Sequence, residues 1–223
     1  FEQISLARPD SILNGELAYE TRRRLGAAVY REHPVDADIV VGIPDSSTPH
    51  AVGLAAAAKI PYVEAIIRNR YVGRTFIQPD QHSRSQGVKT KFNAMRGVVE
   101  GKRLLVVDDS IVRSTTVTRI VKMLRKAGAK EIHMRVASPP IKSTCHFGVD
   151  MATLGELIAY NKTVDEIRDY IGADSLAYLS VEGLHQAVRA PDKTYCNGCL
   201  TGKYPIPVQL EMNKLELGIT QGI

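Results

Sequence analysis

Asp108 and Asp109 stand side by side at the end of a short apolar run, Leu104-Leu105-Val106-Val107. They are followed by Ser110-Ile111-Val112-Arg113-Ser114-Thr115-Thr116. Paired carboxylates can hold Mg²⁺ or accept hydrogen bonds from sugar hydroxyls. Small hydroxyl residues opening a helix suit phosphate, because the first N–H groups of a helix lack internal partners and the macrodipole favours an anion. Together the two halves describe a ligand that is both sugar and phosphate. The bland alternative is an N-cap and surface charge after an α/β strand, which is a common arrangement. Ser110, Ser114, Thr115 and Thr116 weigh against it.

The elements that must position these residues follow from pattern. The run at 104–107 is too short for a helix and all Leu or Val, so it reads as a buried strand. Val117, Ile120, Val121 and Leu124 share one face of a helix over 117–126. A second apolar strand at 38–43 ends in Pro44-Asp45-Ser46-Ser47, and an Ala-rich helix follows through Ala58. Alone, that loop is a routine turn and N-cap. As the second strand–loop–helix of a parallel sheet it gains weight, since ligands collect at the carboxyl ends of such strands. A helix is expected at 16–32, ending near Pro34, with Arg22-Arg23-Arg24 as a solvated face. Further strands are expected at 62–67, 131–138 and 175–178, and helices at 151–160 and 163–171. Residues 69–96 carry no apolar period, and a polar loop of that length reads as a lid.

Composition narrows the class. The chain has 223 residues, 44% hydrophobic and 24% charged, ordinary for a soluble globular protein. No apolar run approaches a bilayer span and no leader is present, which makes a cytoplasmic enzyme the default. Phe1 opens in mid-pattern, as in a piece of a longer polypeptide. The net charge is +5, yet residues 68–103 hold nine Lys or Arg against two acidic residues. The rest of the chain is therefore slightly acidic. Basic charge gathered beside a phosphosugar loop fits a polyphosphate ligand better than nucleic acid. With no Trp and 6% aromatics, neither a recognition helix nor an aromatic-basic platform is visible.

Cys145, Cys196 and Cys199 are the only cysteines. An odd count in such a protein argues against a disulfide framework. The Cys196-Asn197-Gly198-Cys199 spacing lets two thiolates reach one metal. Buried small hydrophobes, or zinc completed by His146, are the readings the residues themselves leave open.

Val-Val-Asp-Asp-Ser-Ile-Val-Arg-Ser-Thr-Thr resembles the phosphoribosyl-pyrophosphate (PRPP) motif of type I phosphoribosyltransferases. Its Asp-Asp-Ser-Ile-Val-Arg form resembles glutamine PRPP amidotransferases in particular. Ser114 departs from that family's usual Gly, which matters if the loop needs a positive φ there. Residues 1–11, 69–79, 86–91, 180–184 and 201–205 are similar to the same family. The resemblance implies an α/β fold: a parallel sheet flanked by helices, with a flexible lid and a mostly helical C-terminal part. It divides the chain into an inter-domain segment and first helix (1–34), a phosphoribosyltransferase domain (35–180), and a C-terminal helix, Cys-x-x-Cys segment and tail (181–223). A glutaminase domain is expected upstream of this chain.

The implied reaction displaces pyrophosphate from C1 of PRPP by ammonia, giving 5-phosphoribosylamine, the first step of de novo purine synthesis. Asp108 and Asp109 would hold the ribose hydroxyls, and with Ser46 they would hold Mg²⁺. Ser110, Ile111, Val112, Arg113, Ser114, Thr115 and Thr116 would cradle the 5-phosphate. Asp45, Ser46, Ser47 and Tyr71 would bind substrate, while Arg74 and Lys91 from the lid meet the pyrophosphate. The resemblance further implies a 4Fe–4S cluster on Cys145, Cys196 and Cys199, its fourth cysteine upstream of Phe1. Purine nucleotides as feedback inhibitors and a homo-oligomer are expected as well, and neither nucleic acid nor membrane. A salvage phosphoribosyltransferase would need a base-recognition hood, and a PRPP-binding regulator a nucleic-acid surface.

Overall fold

The computed structural model describes residues 1–69, 92–149, 153–189 and 195–207. Its main sheet is parallel and four-stranded: β3 (Ile39–Gly42), β6 (Arg103–Asp108), β7 (Glu131–Val136) and β8 (Ser175–Tyr178), lying in that order. Leu104 to Val107 are wholly buried, as a central strand of a sheet covered on both faces must be. The side chains alternate between two cores. Leu104 and Val106 join Ile132, Met134 and Val136 on one face. Leu105 and Val107 join Val40, Leu25 and Leu54 on the other. Register is tight, with Val106 opposite both Val41 and Met134.

Helices α1 (Ala18–Glu32), α2 (Thr48–Ala58) and α7 (Val181–Val188) carry residues of the second core. The first core takes its helical residues from α4 (Thr115–Lys126) and α6 (Val164–Ile171). The α4 apolar stripe is the one its sequence period predicts, with Val117, Ile120, Val121 and Leu124 all buried. Ahead of α1 run a single π-helical turn, Glu2–Leu6, and a two-residue hairpin of β1 (Ile12–Leu13) and β2 (Glu16–Leu17).

Two sequence expectations need correction. The strand expected at 62–67 does not join the sheet as a fifth strand. Tyr62 makes one isolated parallel bridge to Val40, and β4 (Ile66–Arg68) leaves to pair antiparallel with β5 (Phe92–Ala94). Only Ala65 and Ile66 are buried there, too little apolar surface for a sheet strand. The helix expected at 151–160 is, among the described residues, a 3₁₀ turn (Leu154–Glu156) and a separate α5 (Ile158–Asn161). Thr153 and Glu156 close a capping box around Gly155, so the chain restarts rather than continues. β5 lies inside the stretch 69–96 read as a lid, and the short α3 (Arg96–Val99) begins at that stretch's last residue. Residues 70–91 of that stretch and the tail from 208 lie outside the described residues.

The α1–α2 crossing is set by two glycines. A Cβ at Gly26 would meet the His50 carbonyl oxygen at 1.8 Å, and one at Gly53 the Arg23 carbonyl oxygen at 1.9 Å. Each helix thus offers its partner a bare backbone. A methyl group at Gly26 has backbone and not a flexible side chain to displace. The Gly26→Ala protein should therefore lose at least about 2 kcal/mol of stability in urea unfolding. A loss under roughly 0.5 kcal/mol would mean that the helices separate cheaply.

Candidate active site

The site lies at the carboxyl end of β6, where a cavity of about 970 Å³ opens. Asp108 lines it and is 9% exposed; Asp109 lies just beneath the wall, 5% exposed. Burying two adjacent carboxylates demands donors. Ser47 Oγ donates to Asp108 Oδ1 at 3.0 Å and accepts the Asp109 N–H at 3.2 Å. The Asp109 N–H also reaches Asp108 Oδ1, at 2.9 Å. Asp109 takes Ser110 Oγ on Oδ1 at 2.9 Å and Ser5 Oγ on Oδ2 at 2.8 Å. Burial, and then the negative charge of Asp109, push the Asp108 carboxyl up to about 8. The pair therefore carries one proton near neutrality, as like charges at such range require.

The rest of the lining includes a loop with the form of an anion site. Residues 110–116, every one placed in the loop by the sequence, line the cavity and lead into α4. Ser114 is the N-cap residue and has φ +59°, the left-handed region, and no side chain caps the helix. The Gly usual in the resembled family fits that position at no steric cost; Ser adopts it at about 1–2 kcal/mol. The Thr115 N–H is spent on the Arg113 carbonyl at 2.8 Å, and with no side-chain cap the N–H groups of Thr116 and Val117 are the ones left for an anion. Arg113 also reaches the wall, and its Nε is paired with Glu156 at 3.3 Å.

The second loop enters from β3. Asp45 and Ser46 line the cavity, and the Pro44–Asp45 peptide bond is cis. Asp45 pairs with Arg68 of β4 at 2.8 Å. Ser47 belongs to neither wall: it is fully buried and bridges the acidic pair. Tyr71, Arg74 and Lys91 lie outside the described residues.

Sequence reasoning missed four residues behind the pair. Arg22, read as solvated, is 2% exposed and lines the cavity, with Nε on the Gln3 carbonyl (3.2 Å) and Nη2 on the Ala7 carbonyl (2.6 Å). Only Arg22 of its run faces inward, a helix-phase detail that three consecutive arginines hide. Burial lowers its affinity for the proton, and the charges of Asp109 and Glu2 oppose that. Ser5 comes from the π-helical turn. His50, on α2, is wholly buried and neither ring nitrogen has a partner of good geometry, though backbone at Ser46 and Ile4 lies close enough to favour its charged form. Burial nonetheless drives the imidazole down to about 4. Tyr178, at the end of β8, is buried with an unpartnered hydroxyl; burial and the Asp108 charge raise its pKa.

The cysteines form a separate group. Cys199 is buried, and burial raises its thiol, with smaller upward pushes from Cys145 and Cys196. Cys145 Sγ accepts the Phe147 N–H and Cys196 Sγ the Gly198 N–H, each at 3.4 Å. Among the described residues no three His, Cys, Asp or Glu are gathered tightly enough for a single metal ion. No described helix is long and apolar enough to cross a membrane.

A parallel sheet whose central strand ends in an acidic pair, facing a phosphate-receptive loop, is the architecture of a phosphoribosyl-transferring domain. The chain belongs to the phosphoribosyl transferase domain family, whose sequence model matches residues 9–143. Its relatives narrow this further. It is 50% identical over 97% of its length to the amidophosphoribosyltransferase of Methanothermobacter thermautotrophicus, and 53% identical over 93% to that of Bacillus subtilis. The structure of the Bacillus subtilis glutamine PRPP amidotransferase complexed with ADP and GMP superposes over 95% of the chain with a TM-score of 0.87. The type I phosphoribosyltransferase fold expected from the motif is the fold observed. The chain spans about half the length of these relatives.

The two buried titrating groups give opposite pH signatures. Asp108 has an ordinary value of 3.8 and a folded one near 8. Between those values the folded chain keeps a proton that the unfolded chain has lost, so this group's contribution falls as pH rises. His50 has an ordinary value of 6.5 and a folded one near 4. Below pH 6.5 the unfolded chain gains a proton that the folded one refuses, so stability falls as pH drops. In melts without Mg²⁺, Asp108→Asn should flatten the decline from about pH 4 to about pH 8, and His50→Leu the loss as pH drops from 6.5 to about 4. Unchanged profiles would refute the assignment.

Proposed function

We propose that this chain carries the ribosyl-transfer half of an amidophosphoribosyltransferase, moving ammonia onto C1 of PRPP with release of pyrophosphate. The observation that carries it is one cavity lined both by Asp108 of the acidic pair and by the loop that opens an uncapped helix N-terminus. Half-identity to named amidophosphoribosyltransferases along nearly the whole chain supports ammonia as acceptor.

Loss of pyrophosphate builds positive charge on the ribose ring and negative charge on the leaving group. Catalysis is then chiefly positioning and electrostatics. Residues 110–116 hold the 5-phosphate. Asp108 and Asp109 orient the ribose hydroxyls and favour the cationic ring. Asp45 and Ser46 receive the pyrophosphate end, and Arg74, Lys91 and Tyr71 complete it. The hard oxygen donors of Asp108, Asp109 and Ser46 fit Mg²⁺, which needs only one or two carboxylates beside substrate phosphates. The proton retained on the pair marks where a cation is wanted. When bound, the ion neutralises phosphate charge.

Glutamine hydrolysis needs an activated nucleophile, and none of the three cysteines lines the cavity. We assign that step to the part of the relatives this chain does not span. The ADP and GMP bound in the Bacillus subtilis structure support purine nucleotides as inhibitors here.

The three thiols, mutually sensed and two of them holding N–H donors, fit a 4Fe–4S cluster, which is wider than one ion and is tuned by such hydrogen bonds. Cys145, Cys196 and Cys199 would be its ligands from this chain. Anaerobically purified full-length protein should contain iron and acid-labile sulfide; stoichiometric zinc without iron would refute the cluster.

Pyrophosphate release tests the activity. Ammonium chloride should support it, increasingly as pH rises and NH₃ replaces NH₄⁺, while glutamine should not. Asp109→Asn should lower the rate by at least about 10²-fold without unfolding the chain. Near-normal turnover in that variant would overturn the site.

A further inference from the structure

Asp109 is held from outside the sheet. Its Oδ2 accepts a hydrogen bond at 2.8 Å from Ser5, a residue of the π-helical turn Glu2–Leu6, which precedes the first strand of the main sheet by more than thirty residues. That turn has little structure of its own. Two ties fix it: Ile4, 1% exposed, is sunk in the core with Leu25 and Leu54, and Arg22 grips the carbonyls of Gln3 and Ala7, one on either side of Ser5.

The guanidinium fork suits this task. Two nitrogens in fixed geometry reach two carbonyls four residues apart, which a lysine ammonium cannot match. The same cation lies close enough to Asp109 and His50 for its charge to be felt by both. Ser110 supplies the other hydroxyl, on Oδ1, so the two serines together fix the plane of the carboxylate. Ser110 belongs to the phosphate loop itself; Ser5 does not.

Resting on the reaction proposed above, we infer that Ser5 and Arg22 are positioning residues. Arg22 clamps the N-terminal turn, and through Ser5 the clamp sets the Asp109 carboxylate for the ribose. Neither is a catalytic residue; both act through Asp109. A carboxylate released on one side rotates about its Cβ–Cγ bond, and misplacement on the ångström scale costs rate steeply.

The test combines hydrogen exchange with kinetics on the full chain. Ser5→Ala should lower kcat about tenfold with little change in KM for PRPP, and Ser5→Thr, which keeps the hydroxyl, should restore it. Arg22→Lys keeps the charge but loses the fork. It should speed amide exchange in peptides covering residues 1–8 and 109–114, while peptides of β7 stay protected. Loss of β7 protection would mean general unfolding and would reject the clamp as a local device, as would unchanged exchange at 109–114. Equal kcat in the Ser5→Ala and parent proteins, or a faster variant, would overturn the role of Ser5. If the parent itself fails to turn over PRPP, the proposed reaction fails, and the exchange arms still decide the clamp.

Discussion

Two carboxylates cannot be buried side by side at the end of a strand unless something answers their charge, and the fold is arranged around that answer. A hydroxyl and a main-chain N–H meet Asp108. Two hydroxyls meet Asp109. Burial favours a proton on Asp108, and the charge of the buried Arg22 is felt at Asp109. Separately, the α1–α2 crossing is close because Gly26 and Gly53 each expose backbone to the other helix. The arrangement is not the most stable one the scaffold could hold. An apolar or neutral residue at 108 would relieve the burial cost, and its retention is the mark of a site that spends stability on function.

The opposite wall answers charge by another route. It carries no buried acid, and its attraction for phosphate is built from main-chain N–H groups at the start of α4. Such a wall needs correct backbone geometry more than it needs ionised side chains. That is why Ser114 sits in the left-handed region despite having a Cβ. In the reaction proposed, backbone dipoles would meet the terminal phosphate and carboxylates the sugar.

Much of this was legible in the sequence, for definite reasons. Leu104 to Val107 could only be a buried strand, and the hydroxyls after Asp109 could only open a helix whose apolar face was already written at 117, 120, 121 and 124. Local pattern carries that kind of information. It failed where the deciding contact was distant in sequence. Arg22 opens a run of three arginines, and nothing local distinguishes the buried one from the half-buried Arg23 and Arg24. Ser47 looked like a ligand-binding hydroxyl because its loop binds ligand, yet it turns under the acids. His50 gave no signal at all, being one histidine in an alanine-rich helix. Residues 62–67 looked like a strand by composition, but strand formation needs burial on a sheet that had no room for their exposed side chains.

The N-terminal segment ties the two charged regions of the molecule together. Gln3 and Asn14 both donate to the Tyr195 hydroxyl, at 2.9 and 2.6 Å, and Tyr195 adjoins Cys196. Between Gln3 and Asn14 lies Ser5, on Asp109. Gln3 is itself gripped by Arg22 through its carbonyl. One short stretch of chain therefore contacts the cysteine group through side-chain amides and the acidic pair through a hydroxyl. Ile4, sunk in the core, and the Arg22 fork hold the segment on either side of Ser5 independently of the Tyr195 bonds.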